Sequence, residues 1–334
     1  MSATPIVETV IQPTKKPRAQ KRKYNTGERG FSRVFRWIAT GAALLILAVL
    51  AAVFFFLIYR AIPALTATPE MLDEVRSHLP RMDSLWGLIA VLIFGTLLAA
   101  LLALLLATPI AVGIALFISH YAPKRVAGII SYVVDLLAAI PSVVFGLWGA
   151  MILAPHIRTF WGWIASALST IPGLTVRNSA TGRSVATAAV VLAVMILPII
   201  TAVSREVFRQ TPALHEEAAL ALGATRWEMV KMAVLPFGRS GVISAAMLGL
   251  GRALGETMAV LMILSPGFLF SFQIFDGGQT HTIAAFIASM FPESAGLTIN
   301  VLILAGLALF VISMAVNMGA RWVVSRRAAF SGAN

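Results

Sequence analysis

Two ionisable residues four positions apart, Arg252 and Glu256, fall inside the apolar run Val242–Leu264, and Asp135 falls inside the apolar stretch Val126–Leu153. A charge at the centre of a membrane span costs about 2.5–3.5 kcal/mol on insertion scales, so it faces a partner or a water-filled path and marks a substrate route. Four positions is about one helical turn, which places Arg252 and Glu256 on one face and within pairing reach. A guanidinium stays protonated and offers planar paired donors suited to an oxyanion. Arg252 is therefore expected to contact a transported anion, with Glu256 holding it and balancing its charge while no anion is bound. A structural Arg–Glu clamp between spans would use the same pair. Gly249, Gly251 and Gly255 remove bulk beside it, for close helix approach or for a ligand. Asp135 is expected to line the path or to bond a neighbouring span.

A second constellation lies just before that run, in the polar segment 206–240. Thr211-Pro212 reads as an N-cap followed by a first helical proline. Glu216 and Glu217 then suit the positive end of a helix dipole. Ala218 and Ala219 continue a helix that Gly223 ends. Thr225 with Glu228 has the capping-box spacing, which predicts a second helix over Arg226–Val234 that stops before Pro236. Trp227, Leu220, Leu222 and Met229 add apolar surface beside the charges. Two capped helices are more than a loop between spans requires, so the segment is expected to dock another protein.

These groups need a membrane scaffold, and the composition supplies one. The chain is 59% hydrophobic and 12% charged, against roughly 45–50% and 25% for soluble domains. Its apolar blocks predict six spans: Trp37–Tyr59, Leu85–Leu106 with a kink at Thr108-Pro109, Val126–Leu153 interrupted by Pro141, Gly146 and Gly149, Ser184–Val203, Val242–Leu264 and Thr298–Met318. Residues Arg60–Asp83 and Pro155–Gly182 read as loops, the second with interfacial Trp161 and Trp163. Thr282–Phe291 is too short to span and reads as interfacial or re-entrant. Arg205-Glu206 reads as a snorkelling pair at a span end. The net charge of +12 gathers on the tail 1–36, the 122–125 turn, the segment 206–240 and the C-terminal end, which places both termini and that segment in the cytoplasm. The organisation expected is a basic tail 1–36, a first helix and extracytoplasmic loop 37–84, a core 85–325 and a C-terminal tail 326–334.

Several chemistries are excluded. The chain has no cysteine, hence no disulfide or thiolate metal site. It contains no Gly-Lys dipeptide and so no Walker A phosphate loop. Its five histidines show no metal-ligand spacing and read as interfacial or solvated. No catalytic residue is expected, and energy must come from a partner or an ion gradient.

Glu217-Ala218-Ala219, Gly223 and Leu235-Pro236 together resemble the EAA loop of ABC-importer permeases, with Ala233 where that family usually has a β-branched residue. Gly251-Arg252-Ala253-Leu254-Gly255-Glu256-Thr257-Met258-Ala259-Val260 and Ile140-Pro141-Ser142-Val143-Val144-Phe145-Gly146 resemble the phosphate-importer permeases, on the PstC rather than the PstA side. The resemblance covers about 85–325. It implies an all-α type I (MetI-like) permease core in a bacterial plasma membrane. It further implies that Glu216–Met229 is a coupling helix fitting an ATPase groove. The implied partners are a PstA-like second permease, two PstB-like ATPases that bind ATP and Mg, and a PstS-like extracytoplasmic phosphate-binding protein. No cofactor is implied in this chain. Two alternatives stay open: a permease for sulfate or molybdate, and a proton-driven secondary transporter with Glu256 and Asp135 as relay groups.

Overall fold

The computed structural model describes residues 26–68, 70–72, 75, 84–171 and 175–328. The described residues are mostly helical, with no strand among them. In chain order the helices are α1 (Thr26–Leu65), α2 (Leu85–Leu116), α3 (Lys124–Ala138), α4 (Ser142–Trp148), α5 (Ala154–Ser169), α6 (Val185–Arg209), α7 (Ala213–Ala221), α8 (Arg226–Met229), α9 (Leu235–Leu254), α10 (Met258–Ile263), α11 (Ile283–Met290) and α12 (Leu297–Ala328). Six stretches are long and apolar enough to cross a membrane: Arg33–Leu65, Leu85–Tyr121, Ser142–Ser169, Val185–Arg209, Arg226–Leu254 and Leu297–Trp322. The chain divides into two units within α1, at Phe54–Phe55.

The count of six stands, but several boundaries move. Residues 26–36, expected in the basic tail, already belong to α1; the tail's first 25 residues lie outside those described. The loop Arg60–Asp83 begins later than expected, because α1 continues through Pro63 to Leu65; most of its remainder is outside the described residues, as are 172–174 and 329–334. The stretch Val126–Leu153 is not one span. Pro141 breaks it as anticipated, leaving α3 on one side, while helix runs unbroken from Ser142 to Ser169. Gly146 and Gly149 do not interrupt this helix, and Trp161, expected in a loop, lies inside it.

Prolines explain the longer helices. A proline inside a helix lacks the N–H that would bond four residues back, and its ring meets that carbonyl. Ahead of Pro155 and Pro236 the helix widens into a π-turn, at Gly149–Leu153 and Val230–Val234. Each turn is closed by the residue just before the proline, Ala154 N–H to Gly149 O and Leu235 N–H to Val230 O. The wider turn accommodates the proline, so the helix passes through, and the helix from Arg226 runs on into the fifth span. Before Pro123 the same turn, Phe117–Tyr121, closes through Ala122 N–H to Phe117 O at 2.8 Å. There Ala122 is extended, at ψ 138°, and the helix ends.

The core is a contact between α2 and α6. Ala99, Ala103, Ala107 and Ala111 make a buried small-residue stripe on α2, packed with Val191, Leu192, Ile196 and Ile200 of α6. Small side chains let membrane helices approach closely. Gly249 brings α9 onto α6 in the same way, since a methyl there would stand 2.9 Å from Ile200. Gly146 does so for α4 against α10, where a methyl would stand 2.7 Å from Ala259 Cα. The short apolar piece after the fifth span is buried rather than interfacial. Thr282 caps α11, Ile283 N–H donates to Thr96 Oγ1 on α2 at 2.9 Å, and Phe286 is fully buried.

Candidate functional site

The fifth span ends its regular helix at Leu254, and Gly255-Glu256-Thr257 form a break before α10. This break undoes the expected pairing. Glu256 is not one turn above Arg252 on a helix face. It is buried at the start of α10, where its Oε1 accepts the Ala259 N–H at 3.2 Å. It thereby satisfies one of the open donors that a helix start presents. No ion pair links Glu256 with Arg252. The three glycines also divide in role: Gly249 is a close-approach residue, whereas Gly251 and Gly255 face space.

Arg252 has no hydrogen bond or ion pair among the described residues. It lines an open cleft of about 740 Å³ between α6, α9 and α12. Ser244, Leu248 and Arg252 present one face of α9 at steps of one turn, Asn317 and Arg321 one face of α12, and Ile199 closes the side from α6. Ser244, Arg252, Asn317 and Arg321 are exposed on the chain's own exterior. Guanidinium groups are not left against lipid hydrocarbon, so this face suits a water-filled path closed by another subunit. Asn317 and Arg321 were not legible as candidates. Arg321 reads in sequence as an end-of-span arginine, and nothing in the spacing relates it to Arg252.

Asp135 does not join this site. It lies on α3, outside the six spanning stretches, exposed, with its Oδ1 3.9 Å from Arg205 Nη2. Arg205 thus reaches across to α3 rather than pairing with its neighbour Glu206. Among the described residues, Glu256 and Asp135 share no hydrogen bond or ion pair: Glu256 caps α10 and Asp135 faces Arg205.

The polar segment between the fourth and fifth spans folds as two short helices meeting at a glycine. Pro212 rather than Thr211 precedes α7, with no side-chain cap. Gly223 has φ +86°, with open space where a Cβ would point, so backbone conformation alone calls for glycine there. The capping box on α8 is complete. Thr225 N–H donates to Glu228 Oε2 at 2.8 Å, and Glu228 N–H to Thr225 Oγ1 at 3.4 Å. Thr225→Ala should lower the stability of the segment by about 1 kcal/mol, typical of a lost N-cap. Proteolysis at Gly223–Thr225 in the intact protein would report it, and unchanged cleavage rates would show that the cap contributes nothing.

The inner side of this segment is anchored. Ala219, Met229, Val230 and Val234 pack with Phe208 of α6 and with Ala115 and Leu116 of α2. Gly238 allows the close approach of Phe208, where a methyl would stand 2.6 Å from its ring. Glu216 is half-buried, its Oε1 3.3 Å from His120 Nε2, and His120 Nδ1 lies 2.6 Å from Ser119 Oγ. His120 is therefore not a solvated histidine but a strut between α7 and the end of α2. The two residues are 96 positions apart, beyond any sequence periodicity. The outer side is exposed and apolar: Leu214 (75% exposed), Leu222 (86%) and Trp227, with Lys231 Nζ 5.7 Å from the Trp227 ring centre. Glu217 and Ala218 share that exposed side. Leu235 and Pro236, where the segment joins α9, border a groove with Val112 and Arg239.

Comparison with known proteins places this architecture. Residues 107–328 match the family described as binding-protein-dependent transport system inner membrane component. Phosphate transport system permease protein PstC 2 of Mycobacterium tuberculosis is 44% identical over 320 residues, 93% of this chain and 97% of that protein. The PstC of Mycobacterium leprae is 44% identical over 81% of this chain and 86% of its own, and that of Haemophilus influenzae 36% over 70% and 75%. Among solved structures, a bacterial ABC transporter involved in alginate import aligns with TM-score 0.58 at 17% identity, over 89% of this chain and 99% of that one. The MetNI methionine ABC transporter aligns with TM-score 0.51 at 15% identity, over 72% and 96%. These structural likenesses are of fold. The chain is a multi-pass inner-membrane protein and belongs to the binding-protein-dependent transport system inner membrane components, among relatives of the phosphate transport system permease PstC.

Proposed function

We propose that this chain is the transmembrane permease subunit of an ATP-driven inorganic phosphate importer. The observation that carries the reading is Arg252, a guanidinium without a partner among the described residues, facing a cleft from the last turn of the fifth span in a chain 44% identical to PstC proteins. In this reading a PstS-like binding protein delivers phosphate at the extracytoplasmic side. A PstA-like permease closes the cleft into a path. Two PstB-like ATPases bind ATP with Mg and engage the exposed face of α7 and α8. The distribution of Lys and Arg supports a cytoplasmic position for that face and for both termini.

The chain's own residues then act mechanically and electrostatically. Motion received at Glu217, Ala218, Leu222 and Trp227 passes through the buried Ala219–Phe208 contact and the Glu216–His120 strut to α6 and α2. It also passes through the continuous helix Arg226–Leu254 to Arg252, with Glu256 holding the next helix in register. Arg252 offers charge-assisted hydrogen bonds to phosphate oxygens. The chain itself performs no covalent step.

Co-expression with genes for PstA-like, PstB-like and PstS-like partners, purification and reconstitution test the reading. Labelled phosphate is expected to enter ATP-loaded vesicles, sulfate to be excluded, and an ATPase to co-purify in near-stoichiometric amount. Uptake of sulfate without phosphate would overturn the substrate, and a complex without ATPase would overturn the energy source.

A further inference from the structure

We infer that Arg321 of α12, with Asn317 and Ser244, forms a second oxyanion contact beside Arg252. The substrate thus meets two arginines in turn, contributed by the fifth and sixth spans. This rests on the oxyanion reading of the cleft and adds the second half of its binding site. Three observations carry it.

The first is charge. Arg252 and Arg321 line the same cleft, and none of the described residues lining it is acidic. Neither guanidinium has an ion-pair or hydrogen-bond partner among the described residues. Two like charges at the edge of a low-dielectric span repel each other and are costly to leave uncompensated. A bound anion compensates the arginine it contacts, and arginine is the side chain whose donor fork fits it.

The second is position. Arg321 stands at the end of the apolar stretch Leu297–Trp322, and helix α12 continues beyond it to Ala328. Arg321 shares a face with Asn317, one turn earlier, and that face borders the cleft.

The third is polarity. Asn317 and Ser244 place an amide and a hydroxyl in the same cleft. Ser244 Oγ donates to the Ser240 carbonyl at 3.0 Å, a bond a hydroxyl can exchange by rotation. Successive spans run in opposite directions, so going from Asn317 to Arg321 along α12 leads toward the Ser244 end of α9. Arg252 stands at the other end, eight residues and about 12 Å along the helix. The anion thus meets two contacts in series. Binding at several weak sites lets an ion enter and also leave, whereas one strong site would trap it.

The absence of cysteine gives a direct test. Ser244→Cys installs a single thiol in the cleft of this chain, and its labelling by a water-soluble thiol reagent is followed in the assembled complex in phosphatidylcholine vesicles. Inorganic phosphate at roughly ten times its Kd should slow labelling by about tenfold, the factor by which occupancy depletes the free site, while chloride does not. Arg321→Gln should abolish the slowing, and Arg321→Lys should restore part of it.

Four outcomes would overturn the inference. They are a thiol that never reacts, labelling indifferent to phosphate in a complex that imports phosphate, slowing that survives Arg321→Gln, and slowing produced by phosphatidylglycerol without phosphate. The last would assign the contacts to a lipid headgroup. A complex that imports no phosphate yet shows slowing that depends on Arg321 would support the anion site while sinking the transport reading.

Discussion

Arg252→Gln should stop phosphate uptake while leaving the complex assembled. Glutamine keeps much of the side-chain length but removes the charge and the paired donors. Hydrogen bonds to charged groups are worth about 1.5–3 kcal/mol each. Losing two of them slows transport by roughly 10²–10⁴-fold at 1.4 kcal/mol per decade. The fold has no stake in the guanidinium, which bonds to nothing among the described residues and is exposed on α9. The neighbouring carboxylate gives the contrast. Glu256 is a buried cap on α10, and the amide oxygen of Glu256→Gln can still accept the Ala259 N–H. That variant is expected to retain assembly and most uptake, whereas Glu256→Leu loses the cap and yields less folded protein. Initial uptake rates, normalised to complex recovered by affinity purification, check both. Full uptake by Arg252→Gln would reduce the arginine to a bystander. An inactive Glu256→Gln in well-assembled complex would restore a charge role that the cap geometry does not require.

What sequence could and could not reveal follows from the range of each interaction. Apolar length is local, so six spans were legible, as were the break at Pro141, the turn at Gly223 and the Thr225–Glu228 capping box. Pro155 and Pro236, which do not end their helices, were misread because π-turns are set by backbone geometry that no residue pattern announces. The break at Gly255 was missed for the opposite reason. The run Val242–Leu264 is continuously apolar apart from its two charges, and hydropathy carries no information on where a helix stops inside it. With the helix broken, the one-turn spacing of Arg252 and Glu256 lost its meaning. Asp135 was placed in a span because Pro141 was read as an interruption rather than as the boundary between α3 and the true span. Glu216 with His120, and Arg252 with Arg321, are tertiary pairings between distant helices. Each of those residues looks ordinary within its own segment. The family resemblance located the docking loop and the arginine, but not what stands opposite them.

A severe folding defect is expected from a small change, Gly95→Ala. Gly95 lies in the middle of α2 and supports the irregular stretch that leads into α11. A methyl there would run into the His281 carbonyl oxygen, and would stand 2.7 Å from Thr280 Oγ1 and 3.1 Å from the His281 carbonyl carbon. Two of these three obstacles are backbone atoms, which cannot rotate away. The stretch is also pinned next door, where Thr96 Oγ1 accepts the Ile283 N–H at 2.9 Å and donates to Leu92 O at 2.7 Å. His281 itself is buried without a hydrogen-bond partner on either ring nitrogen among the described residues, and burial lowers its pKa to about 4. The ring is therefore held neutral in place by packing alone, and displacing the backbone exposes the Leu92–Phe286 cluster beneath it. Overpacking a tight site costs about 1–3 kcal/mol and sometimes more, so Gly95→Ala should lower stability by about 3 kcal/mol. Gly113, on the same helix, has nothing within 4 Å of a prospective methyl. Gly113→Ala should instead stabilise by about 0.5–1 kcal/mol, because alanine loses less backbone freedom in a helix. Thermal unfolding of the two purified variants against the parent complex should move in opposite directions. Equal midpoints would mean that the Thr280–Thr282 stretch can lift off α2 freely, and that this contact does not fix α11 against the core.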